Sequence, residues 1–353
     1  MNALSPLCER LGLRLPIIQA PMAGVSTPAL AAAVSNAGAL GSLGLGAATV
    51  EQAREAIART RALTDRAFNV NVFCHAPAVR DAQREQAWLA RLAPLFDEVG
   101  AQPPAMLREI YRSFLDDEDA FALLLETRPA VLSFHFGVPA ADRVQALRAA
   151  GMYTLASVTS LEEAARAESA GVDALVGQGI EAGGHRGVFD TDACDERLPT
   201  AVLLRQLVTR CRLPVIAAGG IMDGAGIRAV LDQGAAAAQL GTAFVLCPES
   251  AAGADYRRAL QGDTLRTTLT SALSGRPARG LVNCLVAWGE ADPTVRPAMY
   301  PLAYDVAKQL IAASAKAGRT DVGAYWAGQG VPLARALPAA DLVRQLAVEL
   351  ERG

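Results

Sequence analysis

Short apolar runs alternate with helical patterns from Leu15 to Gly241. That alternation constrains this 353-residue chain more than any other feature. Strands are expected at Leu15 to Pro21, Ala39 to Gly44, Phe68 to Phe73, Ala130 to Gly137, Tyr153 to Val158, 174–179, Pro214 to Ala218 and Ala237 to Gly241. Between them, helices are expected at Thr27 to Ala37, Val50 to Leu63, Asp119 to Thr127, Ala141 to Ala150, Leu161 to Ala170, Thr200 to Cys211 and Gly224 to Gln233. Strands that alternate with helices imply a parallel sheet covered by helices. Eight such units point to an α/β protein built as a closed (β/α)8 TIM barrel, not as an open doubly wound sheet.

Two stretches break the rhythm. Residues 75–117 are polar, Pro-punctuated and helical in places, too long for an ordinary connection. Residues 250–330 match no barrel unit. The expected organisation is a barrel from 1–74, 118–249 and 331–353, with 75–117 and 250–330 forming a mainly helical substrate-binding cap. The final stretch, Leu337 to Glu351, repeats Leu342, Leu346 and Leu350 on one helical face and is expected to pack on the barrel wall.

Composition excludes several function classes. The net charge of -3, with no basic run, argues against a nucleic-acid partner. Six scattered cysteines without a CxxC spacing suggest neither a zinc site nor a redox dithiol, and read as free thiols in a reducing cytoplasm. No signal peptide is visible. The stretch from Leu15 to Val50 carries no charge, but prolines and five glycines break it, so a membrane span is not expected.

Polar and small residues cluster at the predicted strand ends, where barrels carry their chemistry: Gln19 to Met22, Asn71, His135, Ser157, Gln178, Gly219-Gly220 and Gly241-Thr242. The stretch from Ala174 to Gly187 runs from a strand into a loop with glycines at 177, 179, 183, 184 and 187 and His185 among them. A side chain that moves protons near neutral pH, in a loop open to close backbone approach, reads as an active site; a Gly-rich turn is the plainer reading. Gly219-Gly220 and Gly241-Thr242 close the last two barrel strands and read as a phosphate cradle, aided by a helix that opens after Asp223 and Gly224. Tight strand-to-helix turns are the alternative. His135, at a strand end, reads equally as a core histidine or a site residue. His75, beside Cys74, reads as a solvated loop residue. No HxH or HxxxH spacing supports a metal. Tyr300, Tyr304 and Lys308, at i, i+4 and i+8, are expected along about 12 Å of one helix face. They could line an anion pocket or form an ordinary amphipathic stripe.

Together, Gln19-Ala20-Pro21-Met22-Ala23-Gly24, Gln178 to His185, Ala218-Gly219-Gly220-Ile221 and Gln239 to Phe244 resemble the nitronate monooxygenases, formerly called 2-nitropropane dioxygenases. The resemblance runs from about residue 15 to 330. The Tyr300, Tyr304, Lys308 stripe and Ser133 to Gly137 resemble the group that acts on propionate 3-nitronate. It implies non-covalent FMN held by Met22, Asn71, Gln178, Gly183, Gly184, Gly219, Gly220, Gln239, Leu240, Gly241 and Thr242. It further implies His185 as the catalytic residue, and His135, Tyr300, Tyr304 and Lys308 around the substrate. The implied reaction is oxidation of a nitronate with O2 through a flavin semiquinone. The same glycine motifs also resemble FMN-dependent NAD(P)H oxidoreductases of the quinone reductase or enoyl-acyl-carrier-protein reductase type. A non-enzymatic phosphate- or flavin-binding module is a third reading.

Overall fold

The computed structural model describes residues 4–263 and 265–352; the outer ends of the expected domain ranges and residue 264 lie outside the described residues. Eight parallel strands form the barrel: β1 (Ile17–Gln19), β2 (Gly41–Gly44), β3 (Phe68–Phe73), β4 (Val131–His135), β5 (Tyr153–Val158), β6 (Ala174–Gln178), β8 (Val215–Ala218) and β9 (Ala237–Leu240). Their order is β1-β9-β8-β6-β5-β4-β3-β2. A parallel bridge between Ile18 and Leu40 brings β1 back to the chain entering β2, so the barrel is nearly closed. The expected TIM-barrel architecture is therefore the observed one.

Alternation along β3 shows how the sequence shapes the barrel. Phe68, Val70 and Val72 belong to the core between sheet and helices. Asn69 and Asn71 take the opposite parity, and each finds a hydroxyl on a neighbouring strand. Asn69 donates to Ser42 Oγ at 3.2 Å and Asn71 to Ser133 Oγ at 2.9 Å. Buried amides are tolerated because these bonds offset their desolvation. Helix starts follow the same local logic. Thr27, Thr49, Ser160 and Asp223 each accept a backbone N–H from the first turn they precede.

The short helix Pro6–Arg10 places Leu7 and Cys8 among Ile18, Val131, Leu155, Ala174 and Ile216, closing the end of the barrel where several strands begin. The last helix, Ala339–Arg352, buries Leu342, Leu346 and Leu350 as the leucine spacing requires. It packs against the helices Pro28–Asn36 and Gly224–Asp232.

A second buried cluster joins the helix Ala82–Asp97, through Trp88, Leu92, Leu95 and Phe96, to Leu285, Leu302, Val306 and Leu310 from the far end of the chain. This region is not purely helical. β10 (Thr267–Thr270) and β11 (Ala278–Leu281) form an antiparallel sheet. It extends onto β7 (Gly184–His185), which is itself part of the glycine loop after β6. No helix among the described residues is long and apolar enough to cross a membrane.

Candidate active site

The C-terminal strand ends surround a cavity of about 620 Å³. Its lining includes Met22, Asn71, Gln178, Gly183, Gly184, Gly219, Gly220, Gln239, Gly241 and Thr242 from the barrel side, with His135 and His185. Tyr300, Tyr304 and Lys308 join from the far segment. Leu240 differs from its expectation: its side chain sits in the core behind the wall, its carbonyl accepts from Ala20 N at 2.8 Å, and it does not line the cavity. Among the described lining residues there is no Asp or Glu.

At the cradle, Gly219 and Gly220 have φ of 128° and 71°, which an L side chain resists. The N–H groups of Gly220, Gly241 and Thr242 have no partner within the chain among the described residues. Thr242 Oγ1 accepts Gly328 N–H at 2.9 Å and keeps its own proton to donate. This donor set fits a phosphate-bearing cofactor, and the cavity falls within the usual range for cofactor pockets, roughly 300–1,000 Å³. The helix after Asp223 does not serve as expected. Asp223 caps Gly226 N–H at 2.8 Å, and Glu349 from the last helix takes Gly224 N–H at 3.0 Å, so carboxylates already occupy that helix start.

The histidine loop is pinned from two sides. Gln178 donates to His185 O at 3.0 Å and accepts Gly187 N–H at 2.8 Å. His135 Nε2 lies 3.2 Å from the same carbonyl; a carbonyl only accepts, so that nitrogen carries the proton. Next in sequence, the buried Arg186 donates to Gln178 O at 2.8 Å and grips both oxygens of Asp195. His185 Nε2 meets Ser274 Oγ at 2.8 Å. Its ring lies 5.1 Å from Trp326 and 5.7 Å from both Tyr300 and Phe136.

Burial, reinforced by nearby positive charge, keeps all three histidines neutral. Desolvation and then repulsion from His135 and Arg276 hold His185 down at about 3. Desolvation and then Arg276 hold His135 at about 4 and His75 at about 4. The buried guanidinium of Arg276 stacks 4.2 Å over Phe136 and donates to Val188 O.

Two expectations change here. His75 is buried, not solvated: Tyr300 covers it edge-on at 5.0 Å, and neither ring nitrogen has a partner among the described residues. Tyr300 lies before the helix Leu302–Lys316, so the three-residue stripe is not one helix face, although all three residues reach the cavity. Tyr111, from the first interruption, also lines it, with Lys308 Nζ 4.9 Å from its ring. Sequence reasoning missed Ser274, Arg276, Tyr256 and Trp326. Nothing in their local spacing marks them; they come from the segment that matches no barrel unit.

Fold and site define the class as a TIM-barrel-like α/β enzyme acting on a small molecule. A family profile described as nitronate monooxygenase matches residues 5–349. A nitronate monooxygenase of Paraburkholderia phytofirmans is 60% identical, covering 100% of this chain and 96% of that one. One from Pseudomonas aeruginosa is 56% identical, covering 96% and 97%. Among solved structures, a nitroalkane oxidase from Streptomyces ansochromogenes aligns with a TM-score of 0.91 at 42% identity, covering 99% and 98%. FabK from Thermotoga maritima aligns at 0.74 with 27% identity, covering 99% and 97%. The chain belongs to the nitronate monooxygenase family, whose members are flavin-dependent oxidoreductases.

Proposed function

We propose that this protein uses FMN to oxidise alkyl nitronates, such as propionate 3-nitronate, with O2. One observation carries the reading. Among the described residues, a cavity lined by no carboxylate joins an ammonium and four phenols to a cradle of unpartnered backbone N–H groups. FMN would be held by the barrel residues named above, its phosphate against Gly220, Gly241 and Thr242. Bound there, a flavin supplies an electron acceptor for the nitronate and an electron donor for O2.

The chain's own task is to bind an anion and keep water out. A nitronate is already a deprotonated carbon acid, so donors matter more than a strong base. Lys308, at the exposed mouth, attracts the anion. Tyr300 OH is buried without a partner among the described residues and can donate. Tyr304 OH accepts from Trp326 Nε1 at 3.3 Å and keeps its own proton, because burial pushes its pKa up to about 12. Phe136 and Trp326 supply apolar wall. A neutral nitroalkane needs one more step, and His185, held neutral, takes the proton from carbon. We assign 75–117 and 250–330 to one substrate-binding cap, supported by their shared buried cluster.

The visible spectrum of purified protein, followed by identification of the flavin released on denaturation, tests the cofactor. Oxygen uptake with propionate 3-nitronate, set against anaerobic bleaching by NADH, tests the reaction. Rapid bleaching by NADH with no oxygen uptake would replace this reading by the NAD(P)H-dependent one.

A further inference from the structure

The hydroxyl that meets His185 belongs to a residue 89 positions further along the chain. Ser274 is fully buried in the turn between β10 and β11. That turn is held by Gly275 N–H to Ser271 O at 2.8 Å. A Cβ on Gly275 would come within 2.2 Å of Ala298 O and 2.7 Å of Tyr300 N, so the turn is pressed against the backbone that delivers Tyr300. The His185 ring is braced as well. Phe136 meets it edge-on at 83°, Tyr300 at 71°, and its carbonyl is tied to Gln178 and His135.

Three polar atoms surround Ser274 Oγ: His185 Nε2 at 2.8 Å, Arg276 O at 3.1 Å and Arg276 N at 3.3 Å. The carbonyl can only accept and the backbone N–H can only donate. A serine has one proton. The His185 contact can be made with the proton on either partner, whereas two oxygens 3.1 Å apart attract only if a proton lies between them, so the arrangement that satisfies all three contacts sends the serine proton to Arg276 O. Oγ then offers lone pairs to Arg276 N–H and to His185, and Nε2 must bring the ring's proton. The hydrogen-bond network thus assigns a proton position that a single contact leaves open.

We propose that Ser274 is a positioning residue that pins His185 as its Nε2–H tautomer, so that Nδ1 is the nitrogen left to face a ligand in the cavity, as a proton acceptor. The catalytic use of Nδ1 rests on the function proposed above; the tautomer does not. With a neutral nitroalkane, the carbon next to the nitro group loses its proton to Nδ1. The electron pair of the broken C–H bond moves into the nitro group, leaving a nitronate beside an imidazolium. The nitronate then enters the oxidation already described.

Only three histidines occur in the chain, which makes ring-nitrogen NMR of histidine-labelled protein readable, with assignment from His75→Phe and His135→Gln. At neutral pH, His185 is expected to show a protonated Nε2 and a bare Nδ1. In Ser274→Ala both tautomers should appear at His185 while the His75 signals stay in place. A protonated Nδ1 in the unaltered protein overturns the proposal, as does an unchanged His185 signature in Ser274→Ala. If Ser274→Ala does not fold, the unaltered protein's spectrum decides alone. In turnover, Ser274→Ala should lose about tenfold more activity on a neutral nitroalkane than on its nitronate. Equal losses overturn Nδ1 as the acceptor in use. Absence of nitronate oxidation altogether would sink the proposed function and leave the tautomer to the spectrum.

Discussion

Lys308 shows how a single side chain sets ligand charge. It forms no ion pair with a carboxylate among the described residues, and its Nζ lies 4.9 Å and 5.4 Å from the rings of Tyr111 and Tyr304. Because the residue is exposed, its pull on an anion is screened and worth about 1 kcal/mol. Lys308→Met should therefore raise KM for propionate 3-nitronate by about fivefold at low ionic strength, with kcat little changed. The gap should narrow as salt is added. A salt-independent loss confined to kcat would rule out an electrostatic binding role. At this scale the sequence was readable where a residue type was rare and its setting unusual. His185 among five glycines is such a case. His75 was not readable, because the residues that bury it, Phe136 and Tyr300, lie far along the chain.

At the scale of elements, the crossing of two glycines holds the site together. Gly183 in the histidine loop faces Gly328 near the chain's end, and a Cβ on Gly183 would come within 2.5 Å of Gly328 N and 2.6 Å of Ala327 C. Both obstacles are backbone, so they yield only if the segment moves. That segment also places Gly328 N–H on Thr242 Oγ1 and Gln329 N–H on Glu181 O at 2.9 Å. Gly183→Ala should force it outward and weaken flavin retention, measured as the fraction of flavin left after gel filtration, by about tenfold in Kd. Full retention would show that the crossing is dispensable for the cofactor. Barrel strands and helices were legible because period-2 and period-3.6 patterns are local properties of a chain. Helix starts misled where partners came from elsewhere. The helix after Asp223 begins at Gly224 as expected, but Glu349 closes that start, and Pro301 precedes a helix that leaves Tyr300 outside it.

Across the whole molecule, three neutral histidines, His75 buried and His135 and His185 half-buried at the cavity, make the fold sensitive to acid. Each histidine's folded value lies below the ordinary 6.5. Above that pH neither the folded nor the unfolded chain carries these protons. As pH falls below 6.5, the unfolded chain binds protons that the folded one refuses. Stability is then lost until the folded values, about 3 to 4, are reached. Between about pH 7 and pH 5 one such histidine accounts for about 2 kcal/mol. His75→Phe should keep the aromatic packing and remove one share. Urea unfolding at the two pH values should show the variant losing about 2 kcal/mol less than the unaltered protein. An identical loss in both would mean that His75 is not held neutral.

The sequence by itself determined the barrel, the strand ends where its chemistry gathers, and the histidine and glycines that mark the site. These follow from patterns a few residues long, which set backbone conformation and decide which face is apolar. Tertiary structure alone decided which distant groups meet. Ser274 reaches His185 across 89 residues, Gly328 reaches Thr242 across 86, and Glu349 reaches Gly224 across 125. Those meetings depend on how the barrel closes and how the far segment folds back over it, and no local periodicity encodes that geometry.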